Sequence, residues 1–100
     1  MESTEFQKYC ADVVSQIDNK FNIDRDAQLA LCQLVEEIGE LAKEVNRKKL
    51  RNKEAEFADL ENEFADVFLQ FAKLADMHGI DLEKSVAQKI ERLKERGYFE

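Results

Sequence analysis

The chain has 100 residues, no proline, three glycines and a formal charge of −7. That length is one domain, residues 1–100, and a composition rich in Ala, Leu, Glu, Lys and Gln, all good helix formers, indicates an all-α fold. The acidity argues against a nucleic-acid binder, which needs a basic face, and no apolar run approaches the ~20 residues of a membrane-spanning helix.

A first helix is expected from Thr4 to about Lys20, with Thr4 and Gln7 as a capping box. Phe6, Tyr9, Cys10, Val13, Val14, Ile17 and Phe21 recur at spacings of three and four, which makes one buried face. Asp24 is the expected N-cap of a second helix running to about Leu50. "RNKE" reads as a polar turn, and "NRKKLRNKE", residues 46–54, as a solvated joint with the option of closing over a ligand. A third helix is expected from about Glu54 to His78. "HGID" then supplies Gly79 as C-cap and Asp81 as N-cap of a fourth helix, Leu82 to about Arg96. Short joints between helices favour a four-helix bundle. Cys10 and Cys32 form no C-x-x-C motif, and the N-terminal segment is acidic rather than signal-like, so packed thiols in a cytoplasmic protein are expected.

The acids are not scattered evenly. "VEEIGE" and "NEFAD" each place two acids three residues apart in an otherwise apolar helix. At about 100° per residue, Glu37 and Glu40 fall beside the Leu34/Leu41 edge of the second helix, and Glu63 and Asp66 beside the Leu60/Val67 edge of the third. Such a pair lies on one side of a helix and can share a ligand. Antiparallel packing would bring the two pairs into one pocket. Four carboxylates there would repel one another unless a cation joined them. All-oxygen ligands favour Mg²⁺, Mn²⁺ or Ca²⁺ over zinc. His78 is the single histidine and no E-x-x-H accompanies the acids, against a di-iron bundle. Mg²⁺ commonly keeps waters and binds phosphates alongside them, which implies a phosphorylated substrate. The competing account is a solvated acidic face or intrahelical salt bridges, since 22 acids in the chain yield such spacings by chance.

The stretches "EEIGELAKEV" and "ENEFADVFLQFAKLADMHGIDLEKSVAQKIERLKERGYF" resemble the all-α nucleoside triphosphate pyrophosphohydrolases, the superfamily of MazG-like proteins and dimeric dUTPases. The resemblance runs from about Leu29 to Tyr98. Its pattern is E-E-x-x-E, a gap, then E-x-x-D: Glu36, Glu37 and Glu40, then Glu63 and Asp66. By that resemblance the fold is MazG-like and oligomeric, and Glu37, Glu40, Glu63 and Asp66 bind Mg²⁺, with Mn²⁺ as a possible substitute. Glu36 supports them. Lys89 matches a lysine of the family's final helix, whereas Leu93 stands where an asparagine is common. Arg96 and Tyr98 are retained near the end of the pattern.

The implied reaction is hydrolysis of a nucleoside triphosphate between its α- and β-phosphates, in nucleotide-pool house-cleaning. Glu37 or Glu40 would orient or deprotonate the attacking water. Lys89, Arg92 and Arg96 share one side of the last helix, and Lys89 and Arg96 are the expected phosphate contacts; helix-end charge is the structural account of the same residues. Phe57, Phe64, Phe68 and Phe71 read as core at helical spacing, and Phe6, Tyr9, Phe21 and Tyr98 as the aromatics more open to stacking on a base. "FADVFLQFAKLA" is apolar on nearly all sides, so a homodimer or homotetramer is expected. The alternative reading is a non-catalytic helical-bundle interaction module that keeps its acids for salt bridges.

Overall fold

The computed structural model describes residues 1–100, all helix and joint with no strand. The helices are α1 (Ser3–Lys20), α2 (Ala27–Val45), α3 (Arg47–Arg51), α4 (Phe57–Met77) and α5 (Leu82–Glu95). The four long helices are those expected; the short α3 is an addition. Asn46 separates it from α2, its side-chain amide donating to the Ala42 carbonyl at 2.8 Å, a local competitor for helix hydrogen bonding. The second helix therefore stops at Val45 rather than continuing to Leu50.

Helix caps differ from expectation in instructive ways. Thr4 and Gln7 do not cap α1; Glu2 is the N-cap residue and makes no side-chain cap bond. Thr4 Oγ1 instead donates to Asp81 Oδ2 at 3.2 Å. The buried Gln7 amide clamps the α4–α5 joint, Nε2 donating to Ile80 O at 2.7 Å and Oε1 accepting from Leu82 N at 2.8 Å. Both side chains serve a tertiary contact that periodicity does not reveal. The N-cap of α2 is Asp26, accepting from Leu29 N at 2.8 Å, and not Asp24. Asp81 caps α5 as expected, accepting from Lys84 N. After α4, Gly79 takes φ +67. Its N–H reaches Asp76 O and the Ile80 N–H reaches Ala75 O, both at 3.0 Å, closing a Schellman motif that needs the left-handed conformation glycine adopts freely.

α4 lies at the centre, packed extensively against α2 on one side and α1 on the other, while α5 rests on α1. The core is built from Cys10, Ala11, Val14, Ala30, Leu34, Ala72 and Ala75. Ala11, Ala30 and Ala72 are fully buried, one from each packed helix, and small residues let helix backbones approach closely. α2 and α4 run antiparallel: Gln33 and Gln70 share Arg25, and near the other end Arg47 faces Asp59 at 3.8 Å.

The expected phenylalanine core is not a core within one chain. Phe57, Phe64, Phe68 and Phe71 are all exposed, as are Leu31, Val35, Ile38 and Val45 of α2. The two acid-bearing helices meet instead along the Leu34/Glu37/Leu41 line of α2 and the Leu60/Glu63/Val67 line of α4, whose residues are buried or half-buried. Glu37, Glu63 and Asp66 therefore lie in the seam rather than beside it, while Glu40 stays exposed. Cys32 is likewise exposed rather than packed, whereas Cys10 is buried, which raises its thiol pKa.

Candidate metal centre

α2 presents Glu37 and α4 presents Glu63 and Asp66 to the same point in the seam. One carboxylate oxygen from each lies within 4.8 Å of the others, and all three residues are half-buried. Glu40 is the exposed member, one turn beyond Glu37, and its charge acts on both Glu37 and Glu63. Glu36 is exposed and lines a cavity of about 280 Å³ together with Glu37 and Asp66.

Electrostatics follow from this crowding. Desolvation pushes the Glu37 carboxyl above its ordinary value, with Asp66, Glu63, Glu40 and Glu36 adding repulsion. Desolvation likewise raises Glu63, helped by Asp66, Glu40, Glu44 and Asp59. Glu63 Oε2 is buried with no hydrogen-bond partner. A buried acceptor without a partner is costly in any fold. None of Glu37, Glu40, Glu63 or Asp66 is in a salt bridge, and the nearest side-chain donor to Asp66 is the Asn62 amide at 3.5 Å. Two oxygens on one Mg²⁺ lie at most about 4.2 Å apart, twice its bond length, so slight side-chain rotation suffices. An orphaned oxygen among all-carboxylate donors fits a hard divalent cation.

The family model for the MazG nucleotide pyrophosphohydrolase domain matches residues 25–97. The chain belongs to the MazG family. Neither the curated proteins nor the solved structures provide a match. The MazG match spans all the acids of the cluster and both helices that carry them, and α1 lies before it. MazG membership supports nucleotide pyrophosphohydrolase activity, a nucleotide substrate and an acidic group able to hold a divalent metal ion. No helix of this MazG domain is long and apolar enough to cross a membrane.

One wall of the site escaped sequence reasoning. Arg25 lies at the 280 Å³ cavity beside Glu36, Glu37 and Asp66, yet its donors are taken. Nε and Nη2 grip Asp18 at 2.7 and 3.0 Å, Nη2 also reaches Gln33 at 2.7 Å, and Nη1 reaches Gln70 at 3.1 Å. Four residues from four stretches of chain meet there, and no local pattern announces them. Their common sign in the sequence is only polarity at positions where the helices turn inward. Lys89 and Arg92 on α5 and Arg96 at its C-cap are exposed and form no salt bridge within the chain.

Proposed function

We propose that this chain hydrolyses a nucleoside triphosphate between its α- and β-phosphates, releasing a nucleoside monophosphate and pyrophosphate, and serves to clear surplus or non-standard nucleotides. The observation that carries the proposal is the cluster of Glu63, whose Oε2 is buried without a partner, with Asp66 on its own helix and Glu37 across the α2–α4 seam, within the segment matched by the MazG family. Glu37, Glu40, Glu63 and Asp66 hold Mg²⁺, with Mn²⁺ able to replace it. A divalent ion held there would supply charge neutralisation at the phosphates and a more acidic attacking water. Glu37 or Glu40 orients the attacking water and accepts its proton; the Glu37 carboxyl, raised above its ordinary value, is suited to that role. Lys89 and Arg96 hold the substrate phosphates. The half-buried seam supplies positioned charge in a partly dry setting, where electrostatic stabilisation is strongest.

The working unit is a homodimer or homotetramer. The chain exposes 7653 Å² at 11.6 kDa, against about 5,800 Å² for a compact monomer of that mass. The excess, about 1,800 Å², exceeds the ~800 Å² each partner buries in a standard interface. A radius of gyration of 16.3 Å, against about 13 Å for a compact 100-residue domain, supports the same reading. The apolar stripes of α2 and α4 supply the surface.

A panel of nucleotides incubated with and without Mg²⁺, with products weighed by mass spectrometry, tests the reading. Monophosphate and pyrophosphate, formed only with metal, are expected. No turnover on any nucleotide, together with no stabilisation by Mg²⁺, leaves a non-catalytic helical module.

A further inference from the structure

A cavity of about 470 Å³ at the end of α2 is lined by Lys43, Glu44, Arg47, Arg51 and Lys53, with no apolar residue in its wall. Four cations around one acid reverse the balance of a chain whose net charge is −7. The backbone gathers them. The break at Asn46 turns the chain into α3, and Asn52, at φ 55, folds it back so that the Lys53 N–H lies 3.5 Å from Arg47 O.

Only Arg47 is neutralised: Nη1 stands 3.3 Å from Glu44 Oε2 and 3.8 Å from Asp59 Oδ2. Lys43, Arg51 and Lys53 are exposed and take part in no salt bridge within the chain. Three uncommitted cations converging on one concavity repel one another and favour an anion between them. The volume is that of a small-molecule site.

This cavity lies further along α2 from the acid cluster. Lys43 is six residues past Glu37, about 9 Å of helical rise, and three past Glu40. Glu44 and Asp59, the two partners of Arg47, are among the carboxylates whose charge bears on Glu63. A ligand spanning both places needs a metal-binding oxygen at one end and a concentrated negative charge further along its length. A polyphosphate has that shape and charge.

We propose that the Lys43/Arg51/Lys53 cavity is a polyphosphate subsite that receives the pyrophosphate end of the substrate. This rests on the pyrophosphohydrolase reading and deepens it. Glu37, Glu40, Glu63 and Asp66, with a divalent ion bound, would hold the triphosphate near the scissile bond, and the cations hold the β- and γ-phosphates that depart together. Holding the leaving group there offsets the charge it gains on departure. Contacts confined to phosphate carry no information about the base, so the subsite serves every nucleotide alike.

The triple variant Lys43→Gln/Arg51→Gln/Lys53→Gln tests the subsite, read by KM for a turned-over triphosphate and by inhibition constants for inorganic pyrophosphate and for the monophosphate. Loss of charge-assisted phosphate contacts is expected to raise the KM and the pyrophosphate constant together by roughly tenfold or more. The monophosphate constant should move by less than about twofold, because it has no pyrophosphate end. Calorimetric titration of inorganic pyrophosphate with Mg²⁺ present should show the same weakening. If KM and pyrophosphate binding are unchanged while the wild type turns over, the subsite falls and the hydrolase reading stands. If the wild type turns nothing over but binds pyrophosphate, and the variant loses that binding, the subsite stands and the hydrolase reading falls. A wild type that does neither overturns both. Should helix content change in the triple variant, Lys43→Gln and Lys53→Gln read singly carry the same comparison.

Discussion

Arg25 grips Asp18 through two hydrogen bonds, Nε to Oδ2 at 2.7 Å and Nη2 to Oδ1 at 3.0 Å, and both side chains are more than nine-tenths buried. The pair ties α1 to the first residue of the MazG-matched segment. With Gln33 and Gln70 completing the guanidinium's partners, it fixes the registry of α1, α2 and α4 beside the acid cluster.

Removing one partner strands a buried charge. Arg25→Met is expected to destabilise the fold by about 3–5 kcal/mol, because Asp18 loses its counter-ion. Replacing both, Arg25→Met with Asp18→Leu, should recover most of that loss. Urea melts at a fixed protein concentration measure both, since subunit association also contributes to apparent stability. Equal melts for Arg25→Met and wild type would show that the pair does not hold α1.

The raised carboxyls make metal-free stability fall as pH rises. Folded Glu37 and Glu63 keep their protons above 4.5, their ordinary value, where the unfolded chain has released them. The folded state thus binds more protons between the ordinary and the raised value, and stability declines across that window and stays lower above it. Glu63→Gln should flatten the decline and melt higher than wild type in EDTA near neutrality. The same variant should gain less from Mg²⁺. Thermal melts from pH 4 to 8, with and without Mg²⁺, read both effects; a wild-type melting point that climbs through the window in EDTA would refute the account.

Metal removal should abolish turnover. Activity is expected to vanish in EDTA and return with Mg²⁺ or Mn²⁺. Glu37→Gln and Asp66→Asn should each cost about 100-fold or more in kcat/KM, since one ligand of a charge-neutralising centre is lost. Retained helix content by circular dichroism separates this loss from unfolding.

Phe64 and Val35 are 60% and 58% exposed on the apolar stripes of α4 and α2. Phe64→Lys or Val35→Lys should place a charge in the subunit contact and cut the assembly toward a species near 11.6 kDa. Sedimentation against protein concentration measures it. A wild-type monomer with full turnover would sink the oligomer.

Much was legible before any coordinates. Helix-forming composition, the Gly79–Asp81 joint and the two i, i+3 acid pairs follow from local chemistry, and local chemistry is what a sequence displays. Glu37, Glu63 and Asp66 meet because α2 and α4 pack antiparallel, along the lines that carry the acids and not through the apolar stripes expected to join them. Caps were less readable. Asp24 and Asp26 are equally good N-caps in isolation, and the choice went to Asp26 once Arg25 turned inward to Asp18.

By itself, the sequence determined that this protein is helical, roughly where its four long helices lie, and which acids share a face. Only the tertiary structure decided which face is inside. α4 is apolar around most of its circumference, so its periodicity names no unique packing side. The line carrying Glu63 meets α2, where Ala30 is fully buried on the facing side, while Ala72 stands about half a turn away from Glu63 and the phenylalanine stripe is left outward. That choice, made by the fit of one helix surface on another, is what moved Glu37, Glu63 and Asp66 from the edge of the bundle into its seam.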